Sequence, residues 1–212
     1  MTFEESMREA ARVAEQSVRR AMRKYSSGGV TDEDDITGVL AGNLDADFDE
    51  RIGGLSWSSS VVRHRKGSAA EEKRIGADLV IHVKLDTPTR SYSKGVLLQA
   101  KRVEPNEFLS SKGLSELKGQ CKKMLDVSAS SFVIDYAKSD ARLVSAALVE
   151  GSNNRDLYDL CNWTTYRFFL ELCRCPIGDP RLTSAKVKDL PAPLVVSLAA
   201  EGQFSSGSPR LR

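Results

Sequence analysis

Asp78, Gln99 and Lys101 are polar side chains within two largely apolar runs of the sequence, Ile75–Leu85 and Gly95–Val103. The polar segment between these runs is typical of a loop joining two strands. Antiparallel pairing about that loop places Asp78 opposite Lys101, with Gln99 on the same strand face as Lys101. Carboxylate and amide oxygens are ligands for a hard cation, and an ammonium stabilises developing negative charge. We therefore expect these groups to converge at one end of the hairpin.

The same residues also have a purely structural explanation. An Asp–Lys pair across two half-exposed strands is ordinary in sheets. Burying a carboxylate, an amide and an ammonium without partners is costly. The sequence of the hairpin alone is compatible with both interpretations, a structural ion pair and an active site.

The segments GADLVI (76–81) and LLQAK (97–101) resemble the D-x(n)-(D/E/Q)xK signature of the PD-(D/E)xK nuclease superfamily. The QxK form is similar to the Mrr-like branch, and nuclease modules of bacterial anti-phage systems are similar less specifically. The resemblance implies a Mg²⁺-dependent DNA endonuclease, with Mn²⁺ able to substitute. It implies Asp78 as the central metal ligand and Gln99 as a carbonyl donor near the metal. Lys101 would orient or deprotonate the attacking water and stabilise charge.

Acids elsewhere in the chain would complete such a site. The segment after Thr31 predicts a helix, with Thr31 as its N-cap and acids in the first turn that suit the helix dipole. Members of the superfamily carry an active-site Glu on this helix, so the resemblance implies Glu33 as a catalytic and metal-binding residue. Asp34 and Asp35 are the neighbours with which it could be confused. Glu72, shortly before the second strand, is the second candidate acid for the metal.

Further elements follow the hairpin in the sequence. Leu109–Val127 predicts an amphipathic helix with a lysine-rich polar face. Gln120 borders its apolar stripe and is either a boundary residue or, as the resemblance implies, a catalytic-site residue reaching in from the helix. Ser131–Ala137 predicts a fourth strand, Ala141–Val149 a fifth strand or a helix, and 153–172 a final helix.

The order of these elements indicates the fold class. With a first strand at 55–63, the chain reads helix, three strands, helix, strand, which matches the αβββαβ core of the restriction-endonuclease-like fold. That is an α/β architecture with a central mixed sheet flanked by helices. We expect an N-terminal amphipathic helix and Ser/Gly linker at 1–29, a nuclease-like domain at 30–200 and a flexible tail at 201–212.

Both ends of the chain lie outside the shared core, which runs from Thr31 to Val149. The N-terminal helix could pack on the body, form a dimer contact or be a mobile extension. The remainder of the chain, from Pro176 onward, is punctuated by Pro, Gly and Ser and carries an apolar patch at Leu194–Ala200.

Clustered basic residues supply the expected contacts to DNA, because the net charge of +2 gives no bulk attraction to nucleic acid. The expected phosphate-binding residues are Arg63, Arg65, Lys66, Lys73, Arg74 and Arg102, together with lysines of the 109–127 helix. A solvated loop is the alternative for 63–66. Phosphate contacts carry little sequence information, so specificity would come from dimerisation or a partner. We expect a homodimer or a subunit of a larger defence complex.

Several other classes of function lack support in the sequence. Cys173-x-Cys175 has no partner pair that would make a zinc site, and neither histidine belongs to a nucleophile motif. Buried free thiols are therefore expected. No apolar run spans a membrane and the charged N-terminus is unlike a secretory signal, so we expect a cytoplasmic protein without membrane contact.

Two alternatives to an active nuclease stay open. Gln99 removes one negative charge from the site, which favours a catalytically silent nuclease-fold module that binds nucleic acid or a partner protein. The other is an unrelated α/β scaffold with a chance QxK motif. In that scaffold Asp78 and Lys101 would not share a site with Glu33.

Overall fold

The computed structural model describes residues 1–64 and 75–204 of the chain, and these form an α/β architecture. Its helices are α1 (Phe3–Ser26), α2 (Glu33–Asp47), α3 (Ser111–Val127), α4 (Ala146–Gly151), α5 (Leu157–Leu160), α6 (Thr165–Arg174) and α7 (Ser184–Asp189). Its strands are β1 (Arg51–Ile52), β2 (Leu55–Arg63), β3 (Leu79–Asp86), β4 (Ser91–Lys101), β5 (Ser131–Tyr136), β6 (Ala141–Ser145), β7 (Trp163–Thr164) and β8 (Leu194–Glu201). The strands form one mixed sheet in the order β1-β2-β8-β3-β4-β5-β6-β7. The predicted class, α/β with a central mixed sheet flanked by helices, is confirmed.

Alternating side chains along the central strands supply two apolar cores, one on each face of the sheet. Leu79 and Leu98 join the core built with α1, α2 and α6. Val80 and Leu97 join the core built with α3, α4 and α7. α1 packs against α2 and α6, so the N-terminal helix lies on the body of the protein. None of the helices in the described ranges has both the length and the apolar character needed to cross a bilayer.

The hairpin formed by β3 and β4 is present, but its register differs from the prediction. Leu79 lies opposite Leu98, which places Asp78 opposite Gln99 rather than opposite Lys101. The turn is centred slightly earlier in the chain than expected, and the pairing shifts by two residues as a result. Because side chains alternate with a period of two, this shift leaves each residue on its predicted face.

Strand β8 is an inner strand of the sheet, antiparallel to β2 and parallel to β3. The sequence left open whether the residues after Pro176 complete the fold, and Leu194–Glu201 does so as a strand of the sheet. Both faces of β8 are covered, and strands of this kind read as continuous apolar runs without alternation. The pattern at 194–200 therefore marked a central strand, which separates β2 from β3.

The remaining C-terminal segments also differ in detail. The predicted strand or helix at Ala141–Val149 is both, because β6 ends at Ser145 and the Ser145 hydroxyl caps α4 by accepting from the Leu148 amide at 3.3 Å. The predicted single helix at 153–172 is wrong. Its middle, β7, pairs with β6, and this pairing interrupts the helix between α5 and α6.

The four cysteines are all free thiols. Three of them, Cys121, Cys161 and Cys173, are buried as expected, whereas Cys175 is exposed at the end of α6. Burial raises the pKa of the Cys121 thiol to about 12. These buried thiols pack as small apolar side chains.

Candidate active site

A glycine sets the path of the chain into β3. Gly76 has φ +71°, in the left-handed region that favours glycine. A Cβ at this position would lie 3.0 Å from the Cα of Gln120 and closer still to its carbonyl oxygen. The segment before Asp78 can therefore press against the backbone of α3 only without a side chain. The Asp78 amide then donates to the Leu98 carbonyl oxygen at 2.9 Å, which joins this residue to β4.

Asp78 and Gln99 are directly hydrogen-bonded. The Asp78 Oδ2 atom accepts from the Ala100 amide at 2.8 Å and from the Gln99 Nε2 group. Gln99 Nε2 also donates to the Ala100 carbonyl oxygen at 3.1 Å. Gln99 is 2% exposed, and its Oε1 atom is buried without a hydrogen-bond partner. An orphaned buried carbonyl oxygen is an unsatisfied acceptor for a donor or a cation.

The environment of Asp78 makes its ionisation sensitive to nearby charge. Burial raises the pKa of its carboxyl to about 6, while the Ala100 amide and the Lys101 ammonium act to lower it. The acids Glu33 and Asp34 contribute to this raised pKa of Asp78. A bound cation would favour the ionised form, as any opposite charge does at this distance.

Lys101 and Glu33 join the end of β4 to the start of α2. The Lys101 Nζ atom lies 3.3 Å from Glu33 Oε2. Glu33 is the first residue of α2, whose N-cap is Asp32 rather than the expected Thr31. The structure thus brings Glu33, Lys101 and Asp78 to one end of the hairpin, the arrangement that a chance QxK on an unrelated scaffold does not require.

Members of this cluster line two clefts, Asp78 one of them and Lys101 the other. The α2 cleft has a volume of about 290 Å³. It is lined by Asp34, Asp35, Thr37, Gly38, Arg63, His64, Asp78, Pro193 and Leu194. The α3 cleft has a volume of about 500 Å³. It is lined by Lys101, Leu109, Gly113, Glu116, Gly119, Gln120 and Lys123.

The expected basic and polar residues fall into three groups. Arg63 lines the α2 cleft and Gln120 the α3 cleft, where the Gln120 Oε1 atom is buried without a partner. Arg102 is exposed, and its guanidinium donates to the carbonyl oxygen of Thr31, just before α2. Glu72, Arg65, Lys66, Lys73 and Arg74 lie outside the described residues.

One acid near the site was missed by sequence reasoning. Asp135 on β5 lies beside Lys101 in the strand register and is 1% exposed. Its Oδ1 atom accepts from the Val103 amide at 2.8 Å, whereas its Oδ2 atom is buried without a partner. Burial raises the pKa of this carboxyl to about 7. The signal was an Asp inside the otherwise apolar run SFVIDYA, where a charge is costly.

The oxygen atoms of the site suit a hard cation. Within residues 1–64 and 75–204, no set of three His, Cys, Asp or Glu side chains is arranged to hold a metal ion. Mg²⁺ does not need such a set, because it keeps several waters and is bound through one or two carboxylates. Asp78 supplies one carboxylate and Gln99 an unpartnered carbonyl oxygen beside it. Glu33 is the nearby second carboxylate, now paired with Lys101.

No family model, curated protein or solved structure matches this chain. Function must therefore be argued from the site itself.

Proposed function

We propose that the protein is a metal-dependent endonuclease that hydrolyses phosphodiester bonds of DNA. The proposal is carried by the meeting of Asp78, Gln99, Lys101 and Glu33 at one end of the β3–β4 hairpin. A role in bacterial anti-phage defence or restriction, with a homodimer or a larger complex as the working form, belongs to the same proposal. That part rests on the resemblance of the motif alone.

Each residue has a part in this chemistry that follows from its atoms. Asp78 and Gln99, with Glu33, would hold Mg²⁺, and the ion supplies an activated water and neutralises phosphate charge. Lys101 Nζ, beside the carboxylates, would hold that water in place and stabilise the charge that develops on the phosphate. Hydrolysis needs these groups together, because positioning and charge stabilisation supply most of the rate.

Arg63 would bind the phosphate from the side of α2. Its Nη1 atom would lie 3.9 Å from a Cβ on Gly38, so the guanidinium reaches the α2 helix where it carries no side chain. Arg63 and Asp78 line the same cleft. A guanidinium and a carboxylate that line one cleft fit a phosphodiester that would contact both Arg63 and a cation at Asp78.

A catalytically silent module that binds nucleic acid or a protein is the second candidate. The observation that favours it is that several polar groups of the site are already paired with each other. Gln99 donates to Asp78, and Lys101 is paired with Glu33. A site that has lost its reaction can keep such bonds for stability alone.

Cleavage of supercoiled plasmid at low salt, with Mg²⁺ or Mn²⁺, tests the proposal. Wild type should nick or linearise the plasmid, and Asp78→Ala and Lys101→Ala should not. Lys84→Ala is the matched control, because Lys84 lies on the same hairpin but pairs with Asp86 at the opposite end. Inactivity of the folded wild type with both ions would reject the nuclease, and duplex binding without cleavage would then favour the silent module. Cleavage that survives in both variants would reject the assigned site.

A further inference from the structure

An exposed aromatic side chain lies in the loop that joins two elements of the candidate site. Phe108 is 63% exposed, the most exposed of the large apolar side chains in the described ranges, ahead of Met1 and Leu148. It lies in the loop between β4, which carries Lys101, and α3, which carries Gln120. Large aromatic rings give most of their binding energy when they are buried. A solvent-exposed ring at this position is therefore a candidate ligand contact.

The backbone on either side of Phe108 is held in place. The Glu107 amide donates to the Glu104 carbonyl oxygen at 3.0 Å. The Leu109 amide donates to the Arg155 carbonyl oxygen at 2.9 Å, and Arg155 Nε donates back to the Leu109 carbonyl oxygen at 2.5 Å. The ring is therefore presented by a fixed loop, which lowers the entropic cost of stacking a ligand on it.

The α3 cleft begins at the next residue. Among the described residues that line the cleft, Leu109 gives an apolar wall, Lys123 and Lys101, which also pairs with Glu33, carry positive charge, and Glu116 carries negative charge. Gly119 leaves one side of the α3 cleft unobstructed, since a Cβ at this position would meet no other atom within 4 Å. A flat, uncharged, polar-edged ring attached to a phosphate matches an apolar wall beside two ammonium groups. The volume of about 500 Å³ holds a base with its sugar.

We propose that Phe108 and the α3 cleft bind an unpaired nucleobase of a strand whose phosphate lies at Lys101. Stacking on an aromatic side chain needs a free base face, and such a face is available in single strands and in opened duplex but is covered in a closed duplex. The inference rests on the proposed function in taking nucleic acid as the ligand. It deepens that function, because it names single-stranded or locally unpaired DNA as the substrate class.

Binding measured without metal tests this proposal separately from catalysis. The probe is a short fluorescein-labelled single-stranded oligonucleotide, compared with its duplex, by anisotropy at low salt with EDTA. Wild type should bind the single strand more tightly than the duplex. Phe108→Ala should weaken single-strand binding by about tenfold, in line with the loss of one stacked base, and should leave duplex binding unchanged. Phe108→Trp should restore the affinity.

Leu148→Ala is the control, because Leu148 is also an exposed apolar side chain, at 44%, and lies on α4, outside both clefts. It should bind as wild type does. Unchanged single-strand binding by Phe108→Ala, or an equal loss for duplex, would overturn the inference. Failure of wild type to bind either probe would also overturn it and leave Phe108 as a protein contact. Because no step here needs cleavage, an inactive enzyme with Phe108-dependent single-strand binding would reject the nuclease and keep this site.

Discussion

Lys101 Nζ lies 3.3 Å from Glu33 Oε2 at the junction of β4 and α2. The side chains of Lys101 and Glu33 are 19% and 36% exposed. Ion pairs of this partly exposed kind contribute only about 0.2–1 kcal/mol to stability. A contribution to stability therefore explains the Lys101–Glu33 pair poorly. Its position beside Asp78 indicates a role in the chemistry of the site.

The first prediction separates these two roles of Lys101. Lys101→Ala should lower plasmid cleavage by about a hundredfold or more, because the group that stabilises developing charge is lost. Its free energy of unfolding, measured in urea, should change by less than about 1 kcal/mol. Lys84→Ala should keep both cleavage and stability. A Lys101→Ala protein that cleaves at the wild-type rate would show that the ammonium acts only as an ion-pair partner.

The second prediction concerns the glycine that leads into Asp78. Gly76→Ala combines a φ of +71° with a Cβ pressed against the Gln120 backbone. It should destabilise the protein by about 1–3 kcal/mol and lower cleavage, because Asp78 moves with the segment. Urea unfolding and the plasmid assay would measure the two effects.

Gly42→Ala provides the contrast for Gly76→Ala. Gly42 is exposed within α2, and a Cβ there would meet no atom within 4 Å. This substitution should stabilise the protein by about 0.5–1 kcal/mol, since alanine favours helix interiors over glycine. Equal effects of the two substitutions would mean that the close approach at Gly76 is absent in solution.

The third prediction is a pH dependence of stability that arises from Asp135. Burial raises the pKa of its carboxyl from 3.8 to about 7 in the folded protein, so the folded state binds the proton more tightly than the unfolded state. The free energy of unfolding should then fall as pH rises between the unfolded and folded pKa values. Asp78 acts in the same direction through a pKa of about 6.

Asp135→Asn isolates the contribution of Asp135. The amide keeps an oxygen for the Val103 amide but cannot ionise, so the fall in stability from pH 5 to pH 8 should shrink by at least about 1 kcal/mol. Urea titrations at several pH values would measure it. Asp126→Asn removes an exposed acid on α3 and should leave the pH profile unchanged. A profile that is identical in wild type and Asp135→Asn would contradict the assigned burial of this carboxyl.

Local patterns predicted the elements of this fold better than their pairing. The alternating and apolar runs at β2, β3, β4 and β5 marked strands, and the spacing of QxK placed Gln99 and Lys101 on one face. The position of β8 between β2 and β3 was not predicted, because an apolar run such as Leu194–Ala200 indicates a strand without indicating which strands it pairs with. Pairing with β2 and β3 is a long-range choice, decided by which faces remain uncovered.

The candidate site was predicted in part for a similar reason. Residue types and alternation pointed to Asp78, Gln99 and Lys101, but the register depended on where the turn closes, which polar loops leave open. Asp135 was missed because a single acid inside an apolar strand has no spacing that ties it to the residues of the hairpin. The contact of Arg102 with Thr31 depends on the path of the loop before α2. The periodicity of apolar residues in the sequence does not predict the path of a loop.

That contact leads to the last prediction. The Arg102 guanidinium donates to the Thr31 carbonyl oxygen and lies 5.9 Å from the centre of the Tyr25 ring, so it fixes the start of α2 and, through it, Glu33. Arg102→Ala should therefore lower kcat for plasmid cleavage by about tenfold, as the loss of a positioning contact does. Duplex affinity and its salt dependence should stay close to wild type, because Arg102 is expected to hold the helix rather than the phosphate.

Arg63→Ala should behave in the opposite way. Removing a phosphate contact weakens DNA binding and reduces the slope of log affinity against log salt by about 1. Measuring kcat, KM and the salt slope for both variants distinguishes positioning from binding. If Arg102→Ala instead lowers the salt slope and leaves kcat unchanged, Arg102 is a phosphate ligand, as expected from the sequence. Arg102→Lys adds a further check. Lysine keeps the positive charge that a phosphate contact needs. It lacks the planar guanidinium that donates to a carbonyl oxygen while lying near a tyrosine ring.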